Sequence, residues 1–364
     1  MTNLLLVGAG HTHLHLVRRA AELLAVGYRV RLLAPRYFHY SGLASATAAG
    51  TVPTEAGRID VAALARRAGI AHHDGTLVGL DRARRVATTA AGSELAYDVL
   101  SFNIGSVVAE HAMTVDPSVL RVKPLSSLNA LDERLRRASA ANPGGSGPRV
   151  TVVGGGATGI ELATHLAVRD GVESVRLLEA SDRVGADLPV GARRRLERLL
   201  AERGVDVRTG WCVDALGPRS ARSTDGSEVA HDAAILATGL AAPPIVSELG
   251  LGDADGVPVR DTLQHVEHDE IHAVGDCAHF LSRPLPRIGV HGVRQGPVLL
   301  ASLLARADGT PLPTYEPQTR ALSILDLGGG QALATWGRFW WQGRSALRLK
   351  RRIDNAWLSS YRSD

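Results

Sequence analysis

The sequence predicts an α/β protein made of two related three-layer ββα halves, followed by a small C-terminal hairpin and helix segment. Three observations predict it. An apolar strand, residues 4–7, runs straight into Gly8-Ala9-Gly10-His11-Thr12-His13. Residues 149–153 do the same into Gly154-Gly155-Gly156-Ala157-Thr158-Gly159. Each turn leads into apolar residues at helical spacing and then a second strand, residues 29–34 in one case and 174–179 in the other. Strand, tight turn, helix and second strand make the βαβ unit that opens a parallel, Rossmann-like sheet. The repeat then continues. Turn-rich stretches of short strands occupy residues 76–97 and 205–231, and apolar strands close on Gly105 and Gly239. One half reads as a copy of the other.

Length and composition agree with this. A chain of 364 residues exceeds what one hydrophobic core usually serves. With 45% apolar and 21% charged residues it has the balance of a globular protein, not a disordered or membrane-spanning one. Net charge is +4, but the basic residues are mostly single arginines on helical faces, so no nucleic-acid partner is expected. The start of the chain lacks the basic region and long apolar core of a signal peptide, and a cytoplasmic location is expected. Two distant cysteines, Cys212 and Cys277, give neither a disulfide framework nor a CxxC motif. His11, His13 and His15 lie close together, but no carboxylate or cysteine completes a metal set, so no metal is expected. Residues 139–148, rich in Gly, Pro, Ser and Asn, read as an exposed loop after a helix over 127–138.

A glycine turn between strand and helix suits a pyrophosphate. The first glycine allows the turn, the second lets backbone approach the phosphates, and the third lets helix and strand pack closely. The second turn has all three, Gly154, Gly156 and Gly159, and Glu179 ends the following strand, where a carboxylate accepts ribose hydroxyls and repels a 2′-phosphate. Ala157 and Thr158 complete that turn. The first turn departs: His13 replaces the third glycine, and its second strand ends Ala34-Pro35-Arg36 with no acid, leaving Arg36 for the adenine or a phosphate. His11 is read as a phosphate contact.

These motifs resemble the pyridine nucleotide-disulfide oxidoreductase superfamily of flavoproteins that bind two dinucleotides. Within it the chain is similar to type II NADH dehydrogenases, and more so to the flavoprotein module fused to some selenophosphate synthetases. The resemblance implies FAD and NADH as cofactors. It implies an FAD domain in two parts, residues 1–112 and 245–318, with an NAD(H) domain, 113–244, inserted between them, and a tail over 319–364. Gly8, Ala9, Gly10, His11 and Thr12 resemble the FAD pyrophosphate turn, with Pro35 and Arg36 at the adenosine end and Ser41-Gly42 near the flavin. Gly105-Ser106 and Thr238-Gly239 resemble the two crossings between domains. Gly275-Asp276 resembles the second FAD fingerprint, whose aspartate binds the ribityl hydroxyls, and the helix opening at Gly289-Val290 would aim its N-terminus at the flavin.

The same resemblance offers two catalytic candidates. Glu161 stands where relatives hold a glutamate close to nicotinamide and flavin; otherwise it is an acid favouring its helix dipole. Lys123 stands where relatives carry a lysine; it either faces the flavin or is solvated. The missing cysteine pair argues against dithiol relay. Where type II NADH dehydrogenases carry AQxxxQ, this chain reads Gly289-Val290-His291-Gly292-Val293-Arg294, with Gln295 adjacent. The expected activity is an FAD-dependent oxidoreductase that takes a hydride from NADH and passes electrons to an acceptor, a quinone in the first reading. The alternatives are reduction of a small redox protein and a non-enzymatic redox sensor. The Trp- and Arg-rich tail suits a membrane surface, a dimer face, or a helix packed on the hairpin, with the membrane reading implying peripheral attachment.

Overall fold

Leu4, Leu5 and Leu6 are all fully buried, as expected of a strand covered on both faces. In the computed structural model, which describes residues 1–141 and 147–362, strand Thr2–Val7 is the centre of a five-stranded parallel sheet. Its order is Ile271–Ala273, Val99–Phe102, Thr2–Val7, Tyr28–Ala34 and Ala71–Asp74. A second parallel sheet repeats the pattern with Leu120–Arg121, Ala233–Leu236, Arg149–Val153, Ser174–Leu178 and Asp206–Arg208. The second sheet lies between Val99–Phe102 and Ile271–Ala273 in sequence, so the chain leaves the first sheet to build the second and then returns to finish the first. The two crossings run side by side, Val107–Val108 pairing antiparallel with Leu240–Ala241. Each parallel sheet heads its own hydrophobic core.

The turn-rich stretches become short antiparallel sheets. One is Leu77–Asp81, Val86–Thr89 and Glu94–Ala96; the other is Val213–Leu216, Ser220–Ser223 and Glu228–Ala230, joined at its edge by Thr114–Val115. The helix expected at 127–138 spans Leu128–Ala141, and residues 142–146 of the expected loop lie outside the described residues. Helix Gly289–Asp308 runs through Pro297 and packs on helix His11–Arg18, where a Cβ at Gly296 would come within 2.9 Å of the His15 Cβ.

The C-terminal segment holds more structure than a hairpin. Strands Ser323–Asp326, Ala332–Trp336 and Phe339–Gly343 form an antiparallel sheet, and helix Arg344–Ser359 follows directly. The helix buries Ala346, Leu347, Lys350, Asp354 and Leu358, one stripe at i, i+3/i+4 spacing. The segment touches both halves. Arg203 donates to the carbonyls of Leu327 and Gly328, whereas Arg362 donates to those of Glu55 and Arg58.

Candidate active site

The two glycine turns open onto two cavities. The second cavity, of about 610 Å³, is lined by Gly154, Gly156, Ala157, Thr158, Glu179, Thr238 and Gly239, among others. Helix Ala157–Leu166 starts at its floor, and its first amides have no carbonyl to bond within the helix. Three glycines here meet different demands. A Cβ on Gly154 would lie 2.5 Å from the Ala237 carbonyl oxygen, and one on Gly159 only 1.8 Å from that of Gly154, so the fold itself requires both. Gly156 has an ordinary φ of −76°, and a Cβ there would meet nothing within 4 Å. At 156, the N-cap of the helix, neither the backbone angles nor a neighbouring atom requires glycine, and the position opens onto the cavity. Glu179 accepts the Gly155 amide at 2.6 Å and the Ser181 amide at 2.7 Å. Burial works to raise its carboxyl, but the Ser181 and Gly155 hydrogen bonds outweigh this and hold it below the ordinary value. It is therefore an anion at the cavity wall.

The first cavity, about 680 Å³, is lined by Gly8, Ala9, Gly10, Pro35, Arg36, Gly105 and Ser106. Here the second glycine answers to the protein as well. A Cβ on Gly10 would strike the Asn103 side chain at 2.4 Å. Asn103, which sequence reasoning missed, ties the turn together: Oδ1 accepts the His13 amide and Nδ2 donates to the Val274 carbonyl at 2.9 Å. His13 takes the third glycine's place by hydrogen bonding, its ring nitrogens lying 2.7 Å from the Gly8 carbonyl and 2.8 Å from the Ser101 hydroxyl. Thr12 spends its hydroxyl on the Gly292 carbonyl, so only its backbone remains for a ligand. Arg36 lies at the wall but pairs with Asp60 at 3.1 Å, and its guanidinium stacks on Tyr37.

His11 does not line this cavity. Its ring turns instead into a cluster with Phe38, Tyr40 and Trp357. What His11 can offer a phosphate is therefore its backbone amide at the helix start, not its ring. Burial lowers both His11 and His13 to about 4, so both are neutral at neutral pH. Because the unfolded chain binds those protons near pH 6.5, the folded state loses stability as pH falls from about 6.5 towards 4. Chemical denaturation at pH 7.5, 6 and 5 should show this decline, and His13→Gln, which removes one titrating site, should make it shallower.

Between the cavities lies a set of polar groups. Asp276 pairs with Lys123 at 2.7 Å and accepts from Ser106 at 2.8 Å. Burial works to raise its carboxyl, but Lys123 and Ser106 hold it below the ordinary range. Lys123 is thus neither solvated nor free; it is the counter-charge of Asp276. Gln295, which stands beside the absent AQxxxQ, accepts the Gly275 amide at 2.6 Å and fixes this loop. Arg287 donates to the Asp276 carbonyl at 3.0 Å and to the Leu240 carbonyl at 2.9 Å, joining the loop to the crossing. Gly289 opens its helix within 4 Å of His11 and Ser41, as judged from its Cβ position, with Val290 next in the first turn.

Glu161 sits at a three-way junction. It accepts from Ser45 at 3.0 Å and from the Asp326 amide at 2.7 Å, linking both halves to the C-terminal sheet. Burial raises its carboxyl, an effect that Lys350, the Asp326 amide and Ser45 oppose. The C-terminal helix adds a second polar pair that sequence reasoning missed. Lys350 donates to the Gly42 carbonyl at 2.6 Å and to Asp354 at 2.8 Å, and the Tyr40 hydroxyl donates to Asp354 at 2.9 Å. Cys277 is fully buried and its thiol is pushed up to about 11, which suits a small apolar core residue.

Comparison with known proteins agrees with the duplicated architecture. The pyridine nucleotide-disulphide oxidoreductase family matches residues 2–296. A nitric oxide reductase FlRd-NAD(+) reductase of Aeromonas salmonicida is 32% identical over 248 residues, 66% of this chain and 59% of that protein. An NADH dehydrogenase-like protein of Mycobacterium tuberculosis is 29% identical over 226 residues, 58% of this chain and 56% of its own length. The chain thus spans a little over half the length of these curated relatives. The sulfide:quinone oxidoreductase of Aquifex aeolicus superposes with a TM-score of 0.81 at 17% identity, covering 100% of this chain and 92% of that one, a likeness of fold. On the extent of the family match, which includes both glycine turns and Gly275-Asp276, the chain belongs to the pyridine nucleotide-disulphide oxidoreductase family.

Proposed function

We propose that the chain is an FAD-dependent NADH oxidoreductase of the non-dithiol type. The observation that carries the reading is the open cradle at Gly156, with the Glu179 anion at the wall of the same cavity. Glycine at a position with ordinary backbone angles and free space is explained by a ligand whose phosphates need the room. Gly154, Gly156, Ala157, Thr158 and Gly159 would hold the NADH pyrophosphate, Glu179 its ribose, and Thr238 and Gly239 its nicotinamide end. The lining of the first cavity fits the pyrophosphate and adenosine end of its cofactor, while Ser41, Gly42, Asp276, Gly289 and Val290 lie beyond that lining. Gly8, Ala9, Gly10 and the amides of His11 and Thr12 would take the FAD pyrophosphate. Pro35 and Arg36 would flank its adenosine, Asp276 its ribityl chain, and Ser41, Gly42, Gly105, Ser106, Gly289 and Val290 the ring. A bound flavin supplies acceptance of a hydride from the nicotinamide and release of electrons to an acceptor.

The chain's own residues bind, orient and balance charge. Lys123 keeps Asp276 ionised and aimed. The N-terminus of helix Gly289–Asp308 faces the ring site with its positive end, which favours negative charge there. Glu161, whose burial favours the protonated form, is a group that can hold a proton between the two halves. The acceptor is a quinone or a small redox protein. Titration of the purified protein with NADH and NADPH tests the donor assignment: NADH should bind more tightly. Glu179→Gln removes the anion, and NADPH binding should then tighten by about tenfold.

The reading also gives the chain a peripheral membrane contact on the inner face of the cytoplasmic membrane. Among the described residues no helix is long and apolar enough to cross a membrane. The C-terminal sheet, however, presents Trp336, Phe339 and Trp340, which are 55%, 72% and 37% exposed. Aromatic rims of this kind sit at headgroups. Phe339→Ser should reduce pelleting with anionic vesicles; if it leaves pelleting unchanged but breaks up a dimer on a sizing column, the rim belongs to a second copy.

A further inference from the structure

Arg287 stands on the wall where the second cavity meets the Gly275-Asp276 loop. It lines that cavity beside Thr238, Gly239 and Leu240, just ahead of the helix that opens at Gly289. Its Nε donates to the Asp276 carbonyl at 3.0 Å and its Nη1 to the Leu240 carbonyl at 2.9 Å. Its Nη2 donates to the carbonyls of Ala254 at 3.2 Å and Asp255 at 2.6 Å. Three separate segments thus grip one half-buried guanidinium and fix it at the cavity wall.

All four acceptors are neutral carbonyls. Among the described residues Arg287 forms no ion pair, and the Asp276 carboxylate is taken by Lys123 and Ser106. The two acids on the cavity wall are engaged elsewhere. Glu179 faces the Gly155 and Ser181 amides, and Asp214 pairs with Arg222 at 3.0 Å. A guanidinium keeps its charge at every working pH. The end of the cavity formed by Thr238, Gly239 and Leu240 therefore carries a fixed positive charge, felt over several ångströms at an effective dielectric of roughly 20.

We infer that Arg287 sets the preference of this site for the reduced dinucleotide over the oxidised one. The inference rests on the proposed NADH site, whose nicotinamide end is the end that Arg287 borders. The dihydronicotinamide ring is neutral. When its C–H bond breaks and the hydride leaves for the flavin with both electrons, the pyridinium left behind carries one positive charge. The rest of the dinucleotide is unchanged. A permanent cation at that end repels the product and spares the substrate, which hastens release of NAD⁺ and limits inhibition by it. His111 borders the same end, its Nε2 4.0 Å from where a Gly239 Cβ would lie, so the variants that test the inference are made at position 287 alone.

The test measures binding rather than turnover. The FAD-loaded full chain, kept oxidised, is titrated with NAD⁺ and with a tetrahydronicotinamide analogue of NADH, whose ring is neutral and donates no hydride. The analogue should bind about tenfold more tightly than NAD⁺. Arg287→Met and Arg287→Gln remove the charge, the second keeping a donor for the carbonyls, and each should shrink that ratio about fivefold. Arg287→Lys should keep it. Both ligands use one site, so a loosened wall that weakens them alike leaves the ratio unmoved. A chain that binds neither ligand would refute the NADH reading beneath the inference. A wild-type chain that binds both alike would overturn the inference alone. So would neutral variants that weaken both in step, since Arg287 would then be a clamp or a phosphate contact.

Discussion

Gly156→Val should weaken NADH binding by at least about 100-fold, an energy of about 3 kcal/mol, while leaving the fold intact. The expectation follows from two facts about one residue. Its φ of −76° suits any side chain, and a Cβ there meets no protein atom within 4 Å. The valine therefore costs the apo fold about 1 kcal/mol, the loss of a favoured N-cap residue, and leaves it folded. Its methyl groups instead fill the cavity where helix Ala157–Leu166 presents its open amides. The contrast with Gly159→Val sharpens the test. There a Cβ would overlap the Gly154 carbonyl oxygen at 1.8 Å, so the protein itself should misfold. Titration with NADH, paired with thermal melts of both variants, separates ligand loss from fold loss. A Gly156→Val protein that binds NADH normally would remove the nucleotide from this turn.

Asp276→Ala should do two separable things. FAD affinity should fall by about 10- to 100-fold, the value of a hydrogen bond to a charged group. Stability should fall by about 3 kcal/mol, because Lys123, mostly buried, keeps its charge without a partner. The double variant Asp276→Ala with Lys123→Met should recover much of the stability and none of the FAD affinity, since the stranded charge is gone but the ribityl acceptor is not restored. The pH dependence has a definite sign. The folded carboxyl is held below its ordinary value near 3.8, so its stabilisation is complete above that value and fades as pH falls through the lower folded one. Guanidinium melts of the wild type, Asp276→Ala and the double variant give the stabilities, and FAD titration of the same three proteins gives the affinities.

The parallel sheets were legible because their signals are local. A run such as Leu4–Val7 next to a glycine turn announces a buried strand, and the spacing to Glu179 follows the second strand's length. The repeat made each half support the reading of the other. What escaped were side chains whose roles depend on distant partners. Asn103 reads as an ordinary polar residue at a strand end, and only the fold brings its amide under Gly10. His13 looked like a defect in a glycine motif, yet its ring replaces the missing contact with two hydrogen bonds.

Lys350 and Asp354 were hidden for another reason. At i, i+4 in an arginine-rich helix they look like a solvated surface pair, and their burial follows from the helix lying against residues 40–42. The tail showed the same limit. Its aromatics could serve a membrane or a core, and the structure divides them. Trp336 and Phe339 stay in solvent, whereas Trp357 joins the cluster around His11.

The central claim is that two cavities hold a flavin and an NADH close enough to react. Anaerobic stopped-flow mixing of the purified yellow protein with NADH, following flavin absorbance near 450 nm (roughly the flavin maximum, set by the cofactor), addresses it directly. NADH should bleach the flavin rapidly and completely. A protein that carries no flavin, or whose flavin colour NADH leaves unchanged, would contradict the claim.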